Sequence, residues 1–406
     1  MYTNHPTNIY IFAIANIHRM KDKLQQEFNK IYNKQAEKAF FSPGRVNLIG
    51  EHIDHNGGLV MPCAIDTGTY LLISPNNNNV LRLRSLNFDE TLDTSLKNQY
   101  QKEGKNWFNY PLGVFNLFLK DGHPITGLDM LYYGDMPIGA SLSSSASIEI
   151  VTAFALNKIF NAGYSKLDLV KMCKAVENDF IGLNSGIMDQ FAVTFGEKDK
   201  AVLIDCNNLT YEAVNCDLKE YELAIINTNK PRKLEESQYN ARAQDCQDAL
   251  KMLQGELDIN YLCDIDANVF NTHKHLIITD NALKRAQHVV EENDRVKTAT
   301  IALNDGDINQ FGKLMYASHY SLRNLYEVSC EELDTIVEYC KTNPYVAGAR
   351  MTGAGFGGCA IALVKKDKFD VFNNEVVKYY TDLIGYAPSV YKTYIGNGVG
   401  TINLKS

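Results

Sequence analysis

The chain has 406 residues, 45% apolar and 22% charged, the balance of a packed globular protein and not of a disordered or fibrous one. That length exceeds what one hydrophobic core supports, so two domains are expected, with a ligand most simply housed in the cleft between them. A formal charge of −8 without a basic stripe argues against nucleic acid and anionic membrane as primary partners, so any bound anion must be held locally.

The apolar run at 9–17 is short and has no basic residues before it, so it reads as part of a helix and neither as a signal peptide nor as a membrane span. Strands are predicted at 39–49, 59–65, 69–73, 80–85 and 128–133. Four asparagines at 76–79 tolerate left-handed backbone angles and predict a hairpin turn between the strands on either side. A helix starting near Ser143 carries Ile148, Val151, Ala155, Leu156 and Ile159 at helical spacing. The next begins at Ser165, with Asp168 as a capping-box partner and Leu169, Val170, Cys173, Val176 and Phe180 on one face. Beyond residue 205 the pattern changes to long amphipathic helices at 235–253, 282–292, 308–325 and 330–341, with strands at 221–227 and 360–364. The division is placed at 206–216, giving an N-terminal domain of 1–210 and a C-terminal domain of 211–406. A last strand at 394–404 could pair with either. Clustered strands with segregated helices indicate an α+β fold.

Nine cysteines form an odd set without a Cys-x-x-Cys pair. Cys63, Cys206 and Cys359 sit beside apolar runs, so the set reads as reduced, mostly buried thiols of a cytoplasmic protein. His52 with His55, and His273 with His275, lack paired cysteines at zinc-finger spacing, and no structural zinc is expected.

Four segments carry the chemistry. In 134–147, small residues join a strand to a helix, so main-chain N–H groups and the positive end of the helix can face an anion. This is a phosphate cradle or, equally, a serine-rich linker that caps a helix. No Gly-Lys-Ser/Thr follows, so the charge a Walker lysine would neutralise must fall to a metal or an arginine. In 42–58, Glu51, His52 and Asp54 put three hydrogen-bonding side chains within four residues before an Asn-Gly turn, a cluster suited to the hydroxyls of a sugar. Arg45 precedes them in a mostly apolar strand, where a buried arginine needs an anionic partner. The alternative is a solvated polar turn.

The third segment holds Glu177, flanking the apolar face of its helix, where a carboxylate is costly unless paired or metal-bound. Asp189 follows a glycine turn between apolar stretches, either as a satisfied structural acceptor or as a catalytic one. The fourth, 350–359, contains a literal G-x-G-x-x-G, but its glycines precede a strand instead of opening a helix. It therefore fails as a dinucleotide fingerprint and reads as a loop of close backbone approach.

In this order and spacing the four segments resemble the galactokinase branch of the GHMP small-molecule kinases. The resemblance rests on G-R-V-N-L-I-G-E-H-x-D-x-N-G-G at 44–58, L-S-S-S-A-S at 142–147, G-I-M-D-Q at 186–190 and M-T-G-x-G-F-G-G at 351–358, and it covers nearly the whole chain. It implies an N-terminal domain in the style of ribosomal protein S5 domain 2, a ferredoxin-like C-terminal domain, and an active site between them. It further implies that Glu51, His52, Asp54, Gly186 and Tyr239 bind galactose, that Asp189 is the base at O1, and that Arg45 stabilises the transferring phosphoryl group. Gly139, Ala140, Ser141, Leu142, Ser143, Ser144 and Ser145 would hold the phosphates of ATP, Ser145 and Glu177 a Mg²⁺ ion, and Ser85 and Trp107 would lie near the nucleotide.

By the same resemblance the product is galactose 1-phosphate, at the entry to galactose metabolism, made by a cytoplasmic monomer. Ile53, His55 and Ser141 stand where threonine, tyrosine and glycine are usual. The rival readings are a kinase for N-acetylgalactosamine or arabinose, and a galactose sensor without turnover. The Ser145-Ala146 pair, which such sensors lack, favours catalysis. Arg45 beside Asp189 is expected to lower the aspartate's pKa.

Overall fold

The structure is a computed structural model and describes residues 7–137, 142–183, 186–231 and 235–404. Two sheets organise these residues. The larger begins with β1 (Lys38–Ile49), paired antiparallel with the 17-residue β2 (Leu59–Pro75). It continues through β5 (Leu128–Gly134), β3 (Val80–Ser85) and β4 (Leu92–Ser95), while β6 (Lys200–Asp205) and β7 (Thr210–Asn215) attach at the start of β2. The second sheet is four-stranded and antiparallel, in the order β11 (Ser389–Thr393), β8 (Tyr221–Asn227), β10 (Cys359–Lys365), β9 (Val346–Thr352).

Helix α1 (Thr7–Tyr32) lays Leu24, Phe28 and Tyr32, one turn apart, against Tyr70, Leu72 and Leu131, forming a small separate core on the sheet. The main core lies under α2 (Asn109–Lys120), α3 (Ser144–Ile159), α4 (Lys166–Ala175) and α5 (Met188–Phe195). It continues beneath α6 (Glu235–Leu253), α7 (Ala267–His273), α8 (Asp280–Asn304), α9 (Ile308–Ser321), α10 (Glu331–Thr342) and α11 (Phe369–Ile384). The Ser165–Asp168 capping box is present in both directions. All nine cysteines are free, and among the described residues no helix is long and apolar enough to cross a membrane.

Several elements differ from the sequence reading. The stretches 59–65 and 69–73 form one strand: the exposed Asp66 and half-exposed Thr67 belong to an irregularity of β2 that lies opposite Gly44 of β1, and Asp66 accepts from the Thr393 hydroxyl at 2.7 Å instead of making a turn. The asparagine run does not join a hairpin, because β5 inserts between β2 and β3. Asn76 straps the end of β5, donating to Val80 O at 3.0 Å and Asp129 Oδ1 at 2.9 Å. Helix α8 runs twelve residues past the predicted end at 292. Of the stretch 394–404, left open between the two parts, β12 (Gly400–Ile402) pairs with β1 of the larger sheet, while β11, just before it, pairs with β8. Two sheets, each covered by helices of its own, bear out the α+β expectation.

Candidate active site

Where β1 pairs with β2 the register shifts between Pro43 and Arg45, with Gly44 alone facing three residues of β2, and this irregularity immediately precedes the arginine. A side chain at Gly44 would meet Leu142 O at 2.7 Å, so only glycine lets the serine segment approach the strand closely enough for Arg45 N to bond Leu142 O at 3.1 Å. The Arg45 guanidinium then reaches Asp189, at the start of α5, in a two-pronged ion pair: Nε to Oδ1 at 2.7 Å and Nη2 to Oδ2 at 2.8 Å. Burial opposes the charge on Arg45, but Asp189, Glu51 and Asp54 outweigh it and hold its pKa above the ordinary value.

Ser143 completes this end. It adopts a left-handed conformation, φ 61° and ψ 46°, at the N-terminus of α3, and its hydroxyl donates to Asp189 Oδ2 at 2.5 Å. The phosphate-loop candidate and the candidate base are thus in direct contact. Leu142 is buried, Ser144 exposed and Ser145 half-buried in the first turn of α3. Gly139, Ala140 and Ser141 lie outside the described residues.

Glu177 is buried in a single π-helical turn that follows α4. Glu149, also buried, lies within electrostatic reach of it. Burial, then Glu177, pushes the Glu149 carboxyl well above its ordinary range. Glu177 and Ser145 supply hard oxygen donors, and among the described residues no cluster of three acidic, histidine or cysteine ligands exists. One carboxylate and one hydroxyl fit a magnesium ion that takes its other ligands from phosphate and water. Ser85 and Trp107 both adjoin Tyr132: Ser85 is its cross-strand partner, and the Trp107 ring lies 5.3 Å away edge-on. The Tyr132 hydroxyl bonds Thr152 of α3 at 2.9 Å, which places this group beside the same helix, while the Trp107 N–H is taken by Glu90 O.

At the other end, β1 leads into a turn in which Gly50 (φ 94°) and His52 (φ 63°) are both left-handed. The Glu51 carboxylate is buried and pairs with the fully buried Arg350 of β9 at 3.0 Å. Burial outweighs Arg350 and Arg45, so the Glu51 carboxyl sits above its ordinary value. His52 lies 4.7 Å from the Tyr326 ring in a stacked arrangement and bonds Ala354 O at 3.1 Å. Burial lowers its pKa to about 3, so its ring is neutral. As Ala354 O can only accept, Nε2 carries the hydrogen.

Asp54 pairs with His55 Nδ1 at 3.2 Å. Burial opposes both charges, yet the partnership raises His55 to about 10 and leaves Asp54 below its ordinary value. A side chain at Gly186 would overlap the Asp54 carboxylate, which accounts for the glycine there. The Tyr239 ring of α6 lies 5.6 Å from His52 and 6.0 Å from His55. Burial, then Asp54, Asp189 and Glu51, raise its hydroxyl pKa. The glycine loop between β9 and β10 packs as a close-approach loop, since a side chain at Gly355 (φ 86°) would overlap Val328 O, and Thr352 Oγ1 at the end of β9 exchanges bonds with the Asn47 backbone at 3.0 and 3.1 Å.

The sequence reading overlooked Arg350, an arginine inside an apolar strand and therefore open to the same inference as Arg45. It also overlooked His288 and Glu292 of α8, whose only sequence signal is a polar residue on a helix.

Residues 26–75 match the galactokinase galactose-binding signature, 109–197 the GHMP kinases N terminal domain and 299–381 the GHMP kinases C terminal domain. The chain is 47% identical over 378 residues to a galactokinase of Clostridium tetani, covering 93% of this chain and 96% of the relative. It is 48% identical over 388 residues to one of Staphylococcus carnosus, covering 95% and 100%. The structure of Lactococcus lactis galactokinase complexed with galactose superposes with a TM-score of 0.91 at 42% identity, covering 94% of this chain and 99% of that one. Methanococcus jannaschii mevalonate kinase, at 21% identity, shares the fold with a TM-score of 0.65, over 88% and 98%. With identity at this level over nearly its whole length, the chain belongs to the galactokinase family of the GHMP kinases.

Proposed function

We propose that this chain transfers the γ-phosphoryl group of ATP to the anomeric hydroxyl of α-D-galactose, giving galactose 1-phosphate and ADP. The observation that carries the reading is the three-way contact of Ser143, Asp189 and Arg45. It joins the start of α3, where phosphate binds a helix N-terminus, to the acid at the edge of the sugar turn. Glu51, His52, Asp54, Tyr239 and the Gly186 backbone select the hydroxyls. The neutral His52, its Nε2–H committed to Ala354 O, offers Nδ1 as an acceptor, and the carboxylates only accept. Residues 139–145 receive the phosphates, with Ser85 and Trp107 toward the nucleotide base. The division between domains falls at 210/211, with substrates meeting between the two parts, and the enzyme works as a cytoplasmic monomer.

Asp189 takes the proton from O1 as the O1–phosphorus bond forms and the bond from phosphorus to the bridging oxygen of ADP breaks. Base assistance of this kind contributes roughly 10²- to 10⁴-fold, and positioning with charge stabilisation contributes the larger share. Arg45 holds Asp189 in one rotamer and presents positive charge where the transferring group must pass. Ser145 and Glu177 would hold Mg²⁺, which neutralises charge on the phosphates when bound.

The test is ADP release from the purified chain across galactose, N-acetylgalactosamine, arabinose and glucose, with and without Mg²⁺. Galactose with Mg²⁺ should be turned over fastest. A preference for another sugar, or tight sugar and ATP binding without ADP release, would reject the assignment.

A further inference from the structure

The turn that carries Glu51 and His52 is strained and needs an external hold, because two of its residues are left-handed and one of these is a histidine. Its main chain is held from a single face of α8 at Gly50 and Glu51, where His288, Glu292 and Val296 follow one another at four-residue spacing. The Glu292 carboxylate is fully buried, and its Oε1 accepts from Gly50 N at 3.0 Å, Glu51 N at 3.4 Å and the Ser318 hydroxyl at 2.6 Å. Its Oε2 pairs with Arg295 Nε at 2.7 Å. Burial opposes this charge, but Arg295 and its neighbours outweigh it and lower the Glu292 pKa to about 2. A side chain at Gly50 would meet Val296 Cγ2 at 3.0 Å and Leu59 O at 2.7 Å, so the turn is seated directly on the helix.

One turn earlier, His288 Nε2 lies 3.1 Å from Glu51 O, and Nδ1 lies 2.8 Å from the Ser321 hydroxyl, which in turn receives Arg295 Nη2 at 2.9 Å. Since Glu51 O only accepts, Nε2 must donate and Nδ1 must accept from Ser321. The neutral tautomer is thereby set by a chain running Arg295 to Ser321 to His288 to Glu51. The two backbone groups of Glu51 are therefore gripped from one helix, N–H by Glu292 and C=O by His288, while its side chain is held by Arg350.

We propose that Glu292 and His288 are positioning residues for the sugar site: they hold the Gly50–Glu51–His52 turn in its binding conformation and act on galactose affinity without touching substrate. This inference rests on the galactokinase reading above and adds to it a dedicated scaffold for sugar recognition contributed by a helix some 240 residues away in sequence, the Gly50–Glu292 bond spanning 242. Glycine and histidine at left-handed angles relax to other conformations once the acceptor and donor are withdrawn, and a displacement of a few tenths of an ångström suffices to spoil a hydroxyl-reading site.

The experiment uses the full chain with three variants. Glu292→Gln keeps the size but gives up the charge that both backbone N–H groups and Arg295 use. Ser321→Ala removes the hydroxyl that fixes the His288 tautomer. Leu303→Ala, on the same helix but buried away from the turn, matches them for loss of stability. Loss of a hydrogen bond to a charged group corresponds to roughly tenfold in affinity, so Glu292→Gln should raise KM for galactose about tenfold and Ser321→Ala about threefold, with KM for ATP within about twofold in both. Leu303→Ala should lower the melting temperature with both KM values near wild type. If Glu292→Gln does not fold, Ser321→Ala and calorimetric galactose binding carry the test. A galactose KM within twofold of wild type in the folded variants, or a parallel rise in both KM values, overturns the proposal. Failure of the wild-type chain to consume ATP with galactose would instead overturn the reading on which it rests.

Discussion

At the end of the site proposed to bind the sugar, the anchoring partners come mostly from the distant half of the chain: Arg350 lies 299 residues from Glu51, Ala354 302 from His52 and Glu292 242 from Gly50. At the phosphoryl end Arg45, Ser143 and Asp189 lie within the first 189 residues, joined by one bulged strand and two helix starts. The first arrangement depends on the two parts of the chain being docked and buries its charges. The second is local to the N-terminal part and leaves Asp189 29% exposed, open to a substrate. Sugar recognition should therefore respond to changes across the molecule, and turnover to changes confined to three residues.

The harshest way to break that contrast is Arg350→Met. It leaves the Glu51 carboxylate buried without its partner, and removing one member of such a pair costs about 3–5 kcal/mol. Urea unfolding should show a loss of that size, with galactose affinity falling in whatever folded fraction remains. A stability within 1 kcal/mol of wild type would mean that the pair is not the anchor described here.

At the phosphoryl end a milder change is expected. Ser143→Ala removes one hydrogen bond to a charged acceptor, so kcat should drop about tenfold with KM for galactose within about twofold. An equal loss in both constants would erase the distinction between the ends.

The smallest expected effect is on pH dependence. His52, near 3, is neutral and His55, near 10, is protonated, so neither changes charge between pH 5 and 9. The stabilisation from the His55–Asp54 pair is fully present below the free histidine value of about 6.5 and fades as the pH climbs toward about 10. On the acid side it is lost only below the ordinary aspartate range, because Asp54 is lowered. KM for galactose should stay flat from pH 5.5 to 9, and a transition centred near 6.5 would refute the assignment of these charge states.

How much of this was legible in the sequence follows the same division. The sugar and phosphate segments are contiguous runs, so their side chains could be singled out by type and spacing, and Arg45 announced an anionic partner by sitting in an apolar strand. Arg350 carries the same signal, an arginine inside an apolar strand directly before a glycine-rich loop. Glu292 and His288 could not be found that way: a polar residue on an amphipathic helix looks solvated until the helix is known to dock against a strained turn. The register shift of β2 opposite Gly44, the insertion of β5 between β2 and β3, and the pairing of β12 with β1 are all tertiary choices. Local propensity does not report them.

The central claim is that Asp189 performs chemistry at the sugar's O1 and is not merely a structural partner of Arg45. Asp189→Asn tests it most directly, with galactose binding measured by calorimetry and turnover by ADP release on the same preparation. Turnover should fall by at least about 10²-fold while galactose affinity stays within a few-fold of wild type. Turnover near the wild-type rate would contradict the account.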